Sequence, residues 1–148
     1  MFCDIITEGF RKILYPNINK EKGAHIMTDL KHYVYTKGTD AAMDAEYEST
    51  KAYSKVRPGQ RNLFWRNGLR RYAMPLNNVR RIYRRVEPVY GRLCCGGRNF
   101  IIEWLVLVLH DGSEMVIHIG DDVKQQAEEL LLALQDMHPQ LRYGKVYD

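Results

Sequence analysis

The stretch FIIEWLVLVLHDGSEMVIHI, residues 100–119, decides the architecture. Its first ten residues are apolar on both sides of a period of two, interrupted only by Glu103, as in a central strand covered on each face. Asp111-Gly112 supplies a hairpin turn. On the return, Met115, Ile117 and Ile119 share one face, with Val116 and His118 on the other. Ten apolar residues are about half of what a helix needs to cross a bilayer, so no transmembrane span is expected.

The next segment, DDVKQQAEELLLALQDMHP at 121–139, switches to helical period. Val123, Ala127, Leu130, Leu131, Leu134 and Met137 form one apolar stripe, and Pro139 stops it. Asp121 or Asp122 is the expected cap, with Gln125 completing a capping box with Asp122.

Upstream, Leu63-Phe64-Trp65 and Leu69 to Met74 flank Asn67-Gly68, the pair that a type I′ hairpin turn prefers. Between the hairpins, the spacing of Val79, Ile82, Tyr83 and Val86 suits either a helix or a strand, and the flanking β context favours a strand to Tyr90. His32 to Thr36 alternates as a short strand. Gly38-Thr39-Asp40 then turns and caps a weakly amphipathic helix from Ala41 to Val56, with Met43 and Tyr47 on its apolar side. Arg57-Pro58-Gly59-Gln60 breaks that pattern.

Residues 1–26 stand apart. Phe2, Ile5, Ile6, Phe10, Ile13 and Leu14 fall near helical spacing up to Pro16. Two readings stay open: a helical extension that packs on the body or a partner, or a translated leader with Met27 as the true start. Residues 20–26 can be encoded by a purine-rich ribosome-binding tract. The division is therefore 1–26 as an extension and 27–148 as one domain, long enough for its own core.

The order of elements resembles a bacterial PH-like domain family of uncharacterised function. The resemblance lies in Gly68-Leu69, Pro75-Leu76, Val79, the Asp111-Gly112 hairpin and a final helix beginning near Asp121. It spans about Leu63 to Pro139. It implies an α+β fold: a strongly bent antiparallel sheet, or split barrel, capped by the C-terminal amphipathic helix. Most such folds have seven strands, and five or six are readable here. The resemblance also implies that loops at the open barrel end meet anionic head groups in the phosphoinositide-binding members, with Arg66, Arg70 and Arg71 the residues nearest such a basic hairpin.

Charge carries the functional signal. Eleven of thirteen arginines fall between Arg57 and Arg98, with Glu87 the only acid there, a formal +10. The rest of the chain sums to −6, leaving +4 overall. Separation of this kind attracts anionic partners, and guanidinium forks onto phosphate or carboxylate. The expected anion-binding residues are Arg66, Arg70, Arg71, Arg80, Arg81, Arg84, Arg85 and Arg92, with aromatic contact from Trp65, Tyr72 and Tyr83 and with Trp104 in the core. On a strand, Arg81 and Arg85 share a face with Tyr83, and Arg80 and Arg84 share the other with Ile82 and Val86.

The expected function is a noncatalytic, cytoplasmic binding module docking an acidic protein segment or, second, an anionic membrane surface to which it is peripheral. The alternative is self-association of two copies through basic and acidic surfaces, a homo-oligomer. Nucleic acid ranks below both, since no base-reading motif is legible. Cys3, Cys94 and Cys95 cannot all pair internally, which favours a reducing compartment. The adjacent cysteines before Gly96-Gly97 read as a turn rather than a metal site, and no cofactor is expected. His110, His118 and His138 lack a nucleophile at a known spacing, so an enzyme is not expected.

Overall fold

A computed structural model describes residues 30–91 and 97–144. The extension at 1–26, Arg92 and the Cys94-Cys95 turn lie outside the described residues. The chain is α+β. One sheet comprises β1 (Val34–Tyr35), β2 (Val56–Pro58), β3 (Asn62–Asn67) and β4 (Arg70–Pro75), in the order β1-β4-β3-β2. The second comprises β5 (Val79–Val89), β6 (Phe100–Leu109), β7 (Glu114–Asp121) and β8 (Arg142–Tyr143), in the order β7-β6-β5-β8. All pairs are antiparallel except β5 with β8. Among the described residues no strand pair joins the two sheets, so the barrel is not closed. Helix α1 (Ala41–Ser49) follows β1, and α2 (Lys124–Met137) follows β7. No helix among the described residues is long and apolar enough to cross a membrane.

One core joins the sheets to α2. Leu63, Trp65, Tyr72 and Met74 come from the first sheet; Ile82, Leu105, Leu107, Ile117 and Ile119 come from the second; Ala127, Leu130 and Leu134 come from the helix. β6 lies between β7 and β5 and is buried from Ile102 to Leu109, as its double-faced apolarity requires. The segment from Val79 to Val89 is a strand, its register to β6 interrupted by a bulge between Val79 and Arg81. The bulge lets Val79 and Ile82 both enter the core, although an unbroken pleat would put them on opposite faces.

Several local expectations shift. The first turn is Gly68-Leu69, because Asn67 pairs with Arg70. Only Gly68 has positive φ (61°), the pattern of a type II′ turn rather than I′. Side-chain alternation decides this, since a one-residue slip would turn Leu63, Trp65, Tyr72 and Met74 out of the core. Helix α1 stops at Ser49 rather than reaching Val56. Ser49 and Thr50 hydroxyls donate to the Glu46 and Tyr47 carbonyls, and Val56 is buried in β2. Helix α2 starts later than expected, without a side-chain cap. Its aspartates serve β-sheet ends instead: Asp122 accepts from the Ile101 N–H at 3.0 Å, and Asp121 meets His118. The first strand shrinks to two residues behind a 3-10 turn, Leu30–Tyr33.

Helix α1 is fixed by carboxylates. The Asp40 side chain caps its N-terminus through the Ala42 and Met43 N–H groups. Glu46 accepts from the Arg61 and Asn62 N–H groups at 2.6 and 3.0 Å, holding the helix against the β2–β3 turn. Asp44 accepts from the Tyr35 hydroxyl and the Gly38 N–H, which holds its carboxyl below the ordinary 3.8. A depressed carboxylate stabilises the fold above its unfolded pKa, and that contribution is lost as pH falls through the folded value. Asp44→Asn should therefore be less stable than the parent at pH 6, with the gap closing as pH falls below about 4. Urea melts across pH 3–7 read this directly; a pH-independent gap contradicts it.

Candidate functional site

The alternation that buries Leu63, Trp65, Tyr72 and Met74 leaves Phe64, Arg66, Arg71 and Ala73 on the opposite face of the first sheet. The register sets Arg66 directly opposite Arg71, and Arg71 opposite Tyr35. On its other side, the Arg66 N–H donates to the Lys55 carbonyl at 3.0 Å. Lys55, Arg66 and Arg71 thus stand in one row across adjacent segments. Like charges directly opposed in a sheet are destabilising, so the row concentrates positive potential at a cost.

Helix α1 covers the neighbouring part of this face. The Tyr47 ring lies edge-on to Phe64 at 5.3 Å and near Tyr35 at 5.7 Å. Arg57 Nη1 donates to the Thr50 carbonyl at 2.9 Å and the Tyr47 carbonyl at 3.3 Å, satisfying acceptors left open at the helix end. The guanidinium of Arg57 lies 4.6 Å from the Tyr47 ring centroid, and that of Arg71 lies 5.1 Å from it. A cleft of about 180 Å³ opens beside them, lined by Tyr47, Ala52, Ser54, Lys55, Arg57, Phe64, Trp65 and Arg66. Three of those residues are cationic and none is acidic. The nearby α1 carboxylates hydrogen-bond elsewhere, Asp44 to Tyr35 and Glu48 to Lys37 at 2.7 Å; the Lys37 bond lowers the Glu48 pKa most, and the charge of Arg71 reaches both carboxylates and that of Arg57 reaches Glu48.

The basic row turns a corner through Lys55. Its Nζ lies 3.2 Å from His118 Nδ1 on β7, and His118 Nε2 lies 2.9 Å from Asp121. The His118 ring is 5.1 Å from Trp104, and the Arg85 guanidinium is 5.6 Å from the Trp104 centroid. Trp104 Nε1 donates to Glu87 at 3.0 Å. Cations and rings therefore continue onto the outer face of the second sheet, with Glu87 and Asp121 interspersed.

The expected residues divide accordingly. Arg66 and Arg70 are exposed at the first hairpin, and Arg71 is half-buried beneath α1. Arg81 and Arg85 sit on the outer face of the second sheet, and Arg80 is the exposed residue at the bulge. The arginines therefore do not share one flat face, because they belong to two sheets. Arg84 is a correction. It turns inward with Ile82, and its Nε and Nη2 each meet Glu103 at 2.7 Å, while Nη1 reaches Glu128 of α2 at 3.4 Å. Glu103 is 1% exposed, so its carboxylate requires this partner, and the hydrogen bonds raise the Arg84 pKa. The aromatic assignments are also corrected. Trp65 and Tyr72 stack at 5.3 Å inside the core, and Tyr83 is 9% exposed among Val106 and Val108. Arg92 lies outside the described residues.

Lys55 and Arg57 were missed by sequence reasoning. The signal was their placement on either side of Val56, a period-two pattern that sat between a helical reading and a breaker. Comparison with family models, curated proteins and solved structures returned no match.

The Arg84 pair yields a stability test. Arg84→Gln leaves a buried carboxylate without its cation and should cost about 3 kcal/mol or more, whereas Arg84→Met with Glu103→Leu should cost far less. Arg85→Gln should change stability by about 0.5 kcal/mol at most. Denaturant unfolding of the three variants checks the order.

Proposed function

We propose that this chain is a noncatalytic binding module that docks an acidic protein segment through the basic row and cleft at the corner of its two sheets. One observation carries the reading: Lys55, Arg57 and Arg66 line a single cleft with no acidic residue, and Arg71 stands opposite Arg66. A fold that holds like charges together with no carboxylate among the described residues in ion-pair contact with them is poised for an external anion. Among the described residues, no carboxylate forms an ion pair with Arg66, Arg70 or Arg71, in contrast to Arg84. Two sheets with a C-terminal helix against their shared core also support the PH-like assignment of the fold. A cytoplasmic setting goes with this reading.

An anionic membrane is the second reading, favoured by Leu69. This residue is 96% exposed at the tip of the Arg66–Arg71 hairpin, so an apolar side chain projects between cations. Basic residues near an anionic surface contribute about 1 kcal/mol each, enough for weak peripheral attachment. Nucleic acid ranks below both, because burial of Trp65, Tyr72 and Tyr83 removes the expected stacking platform.

The test is titration of the full chain with polyglutamate across a salt series. Affinity should fall steadily with added salt, and Arg66→Gln/Arg70→Gln/Arg71→Gln should weaken it by about tenfold or more while the fold is retained. Unchanged binding by the triple variant removes the reading. Phosphatidylglycerol vesicles binding where polyglutamate does not would select the membrane. Salt-sensitive mass by light scattering without ligand would select pairing of two copies.

A further inference from the structure

We propose that the cleft between β2, β3 and the C-terminal end of α1 is a binding site for a phosphate monoester group. The proposal rests on the anionic-partner reading above and specifies the chemistry that reading leaves open.

The cations of the cleft are held in different ways. Arg57 spends Nη1 on the Tyr47 and Thr50 carbonyls, which fixes its guanidinium without neutralising it and leaves Nε and Nη2 for a further acceptor. Its stack on Tyr47 restrains the plane of the fork. Lys55 is held at the opposite flank by His118, whose other ring nitrogen meets Asp121, so the carboxylate is one ring removed from the ammonium. Arg66 is exposed and has no carboxylate partner among the described residues. It can swing over the opening, while Arg57 and Lys55 are set in place. The Ser54 hydroxyl donates to the Ile119 carbonyl and brings no charge to the cleft.

The three cationic residues that line this small space select for charge and shape. A carboxylate brings one charge and two oxygens. A phosphate monoester carries about −1.5 to −2 at neutral pH and presents three acceptor oxygens. A phosphodiester has one charge and two free oxygens. Of the three groups, the monoester alone has an oxygen for each cation. The space, about 180 Å³, is below the roughly 300–1,000 Å³ of a site that encloses a whole small ligand. It therefore admits a terminal group while the rest of the ligand stays outside.

The experiment is an NMR titration of the full chain at constant ionic strength, reading Lys Nζ, Arg Nε and backbone signals. The probes are inorganic phosphate, glycerol 3-phosphate, dimethyl phosphate and acetate. Phosphate and glycerol 3-phosphate should shift Lys55, Arg57 and Arg66 saturably, with dimethyl phosphate and acetate weaker by about tenfold or more. Lys55→Gln and Arg66→Gln, both at exposed positions, should each weaken the monoesters about tenfold while the protein stays folded. Arg81→Gln on the other sheet should leave them unaffected. Equal binding of monoester and diester, or an Arg66→Gln variant that binds as the parent does, overturns the proposal. Vesicles holding phosphatidic acid, compared with phosphatidylglycerol vesicles, identify the source. Preference for phosphatidic acid that Arg66→Gln abolishes assigns a lipid head group; saturation by soluble monoester without that preference assigns a free one, and either supports the site. Retained polyglutamate binding with no monoester response defeats this inference alone. Loss of both defeats the docking reading as well.

Discussion

Strand alternation in the β3–β4 hairpin is the constraint on which the rest depends. Leu63, Trp65, Tyr72 and Met74 must face the shared core, and the pleat then forces Phe64, Arg66, Arg71 and Ala73 outward. No other register satisfies both the core and the Gly68 turn. The direct opposition of Arg66 and Arg71 follows from burying four large apolar side chains elsewhere. Burial of each such side chain stabilises by about 1.5–3 kcal/mol, well above the fraction of a kcal/mol that opposed like charges cost. The core therefore wins, and the charged row is tolerated.

The fold treats its arginines in three ways. Arg84 is enclosed, spanning β5, β6 and α2 through Glu103 and Glu128. Arg57 is half-used, closing a helix end while keeping its charge. Arg66, Arg70, Arg80, Arg81 and Arg85 have no acid in ion-pair contact among the described residues. Composition counts all of these as equal contributors to a +10 window. Structure separates structural charge from available charge.

Strands β6 and β7 and the C-terminal helix were legible because each carries a clean period. The ten-residue run at β6, the alternation of β7 and the stripe of Ala127, Leu130 and Leu134 all leave marks that neighbours do not overwrite. The turn at Gly68-Leu69 was off by one residue because local turn preference yielded to the core pattern. The candidate site was less legible. Glu103 looked like an interruption in an apolar run, and only the three-dimensional pairing shows it claiming Arg84. Trp65 and Tyr72 sit among arginines in sequence but on the opposite face from Arg66 and Arg71 in the sheet. Lys55 and Arg57 belong to a three-residue strand too short to announce itself, and their convergence on the α1 end is a long-range contact.

Sheet geometry keeps Arg66 and Arg71, which have no carboxylate among the described residues in ion-pair contact, directly opposed on an outward face. A double-mutant cycle between Arg66 and Arg71, each replaced by Gln and measured by denaturant unfolding at low salt, tests that claim most directly. Repulsion predicts that either single replacement relieves the other. The coupling should be unfavourable to the folded parent by about 0.2–1 kcal/mol and shrink as salt rises. A coupling of zero, or one that favours the parent, would mean that the two guanidinium groups are already compensated, and the positive row would not exist as described.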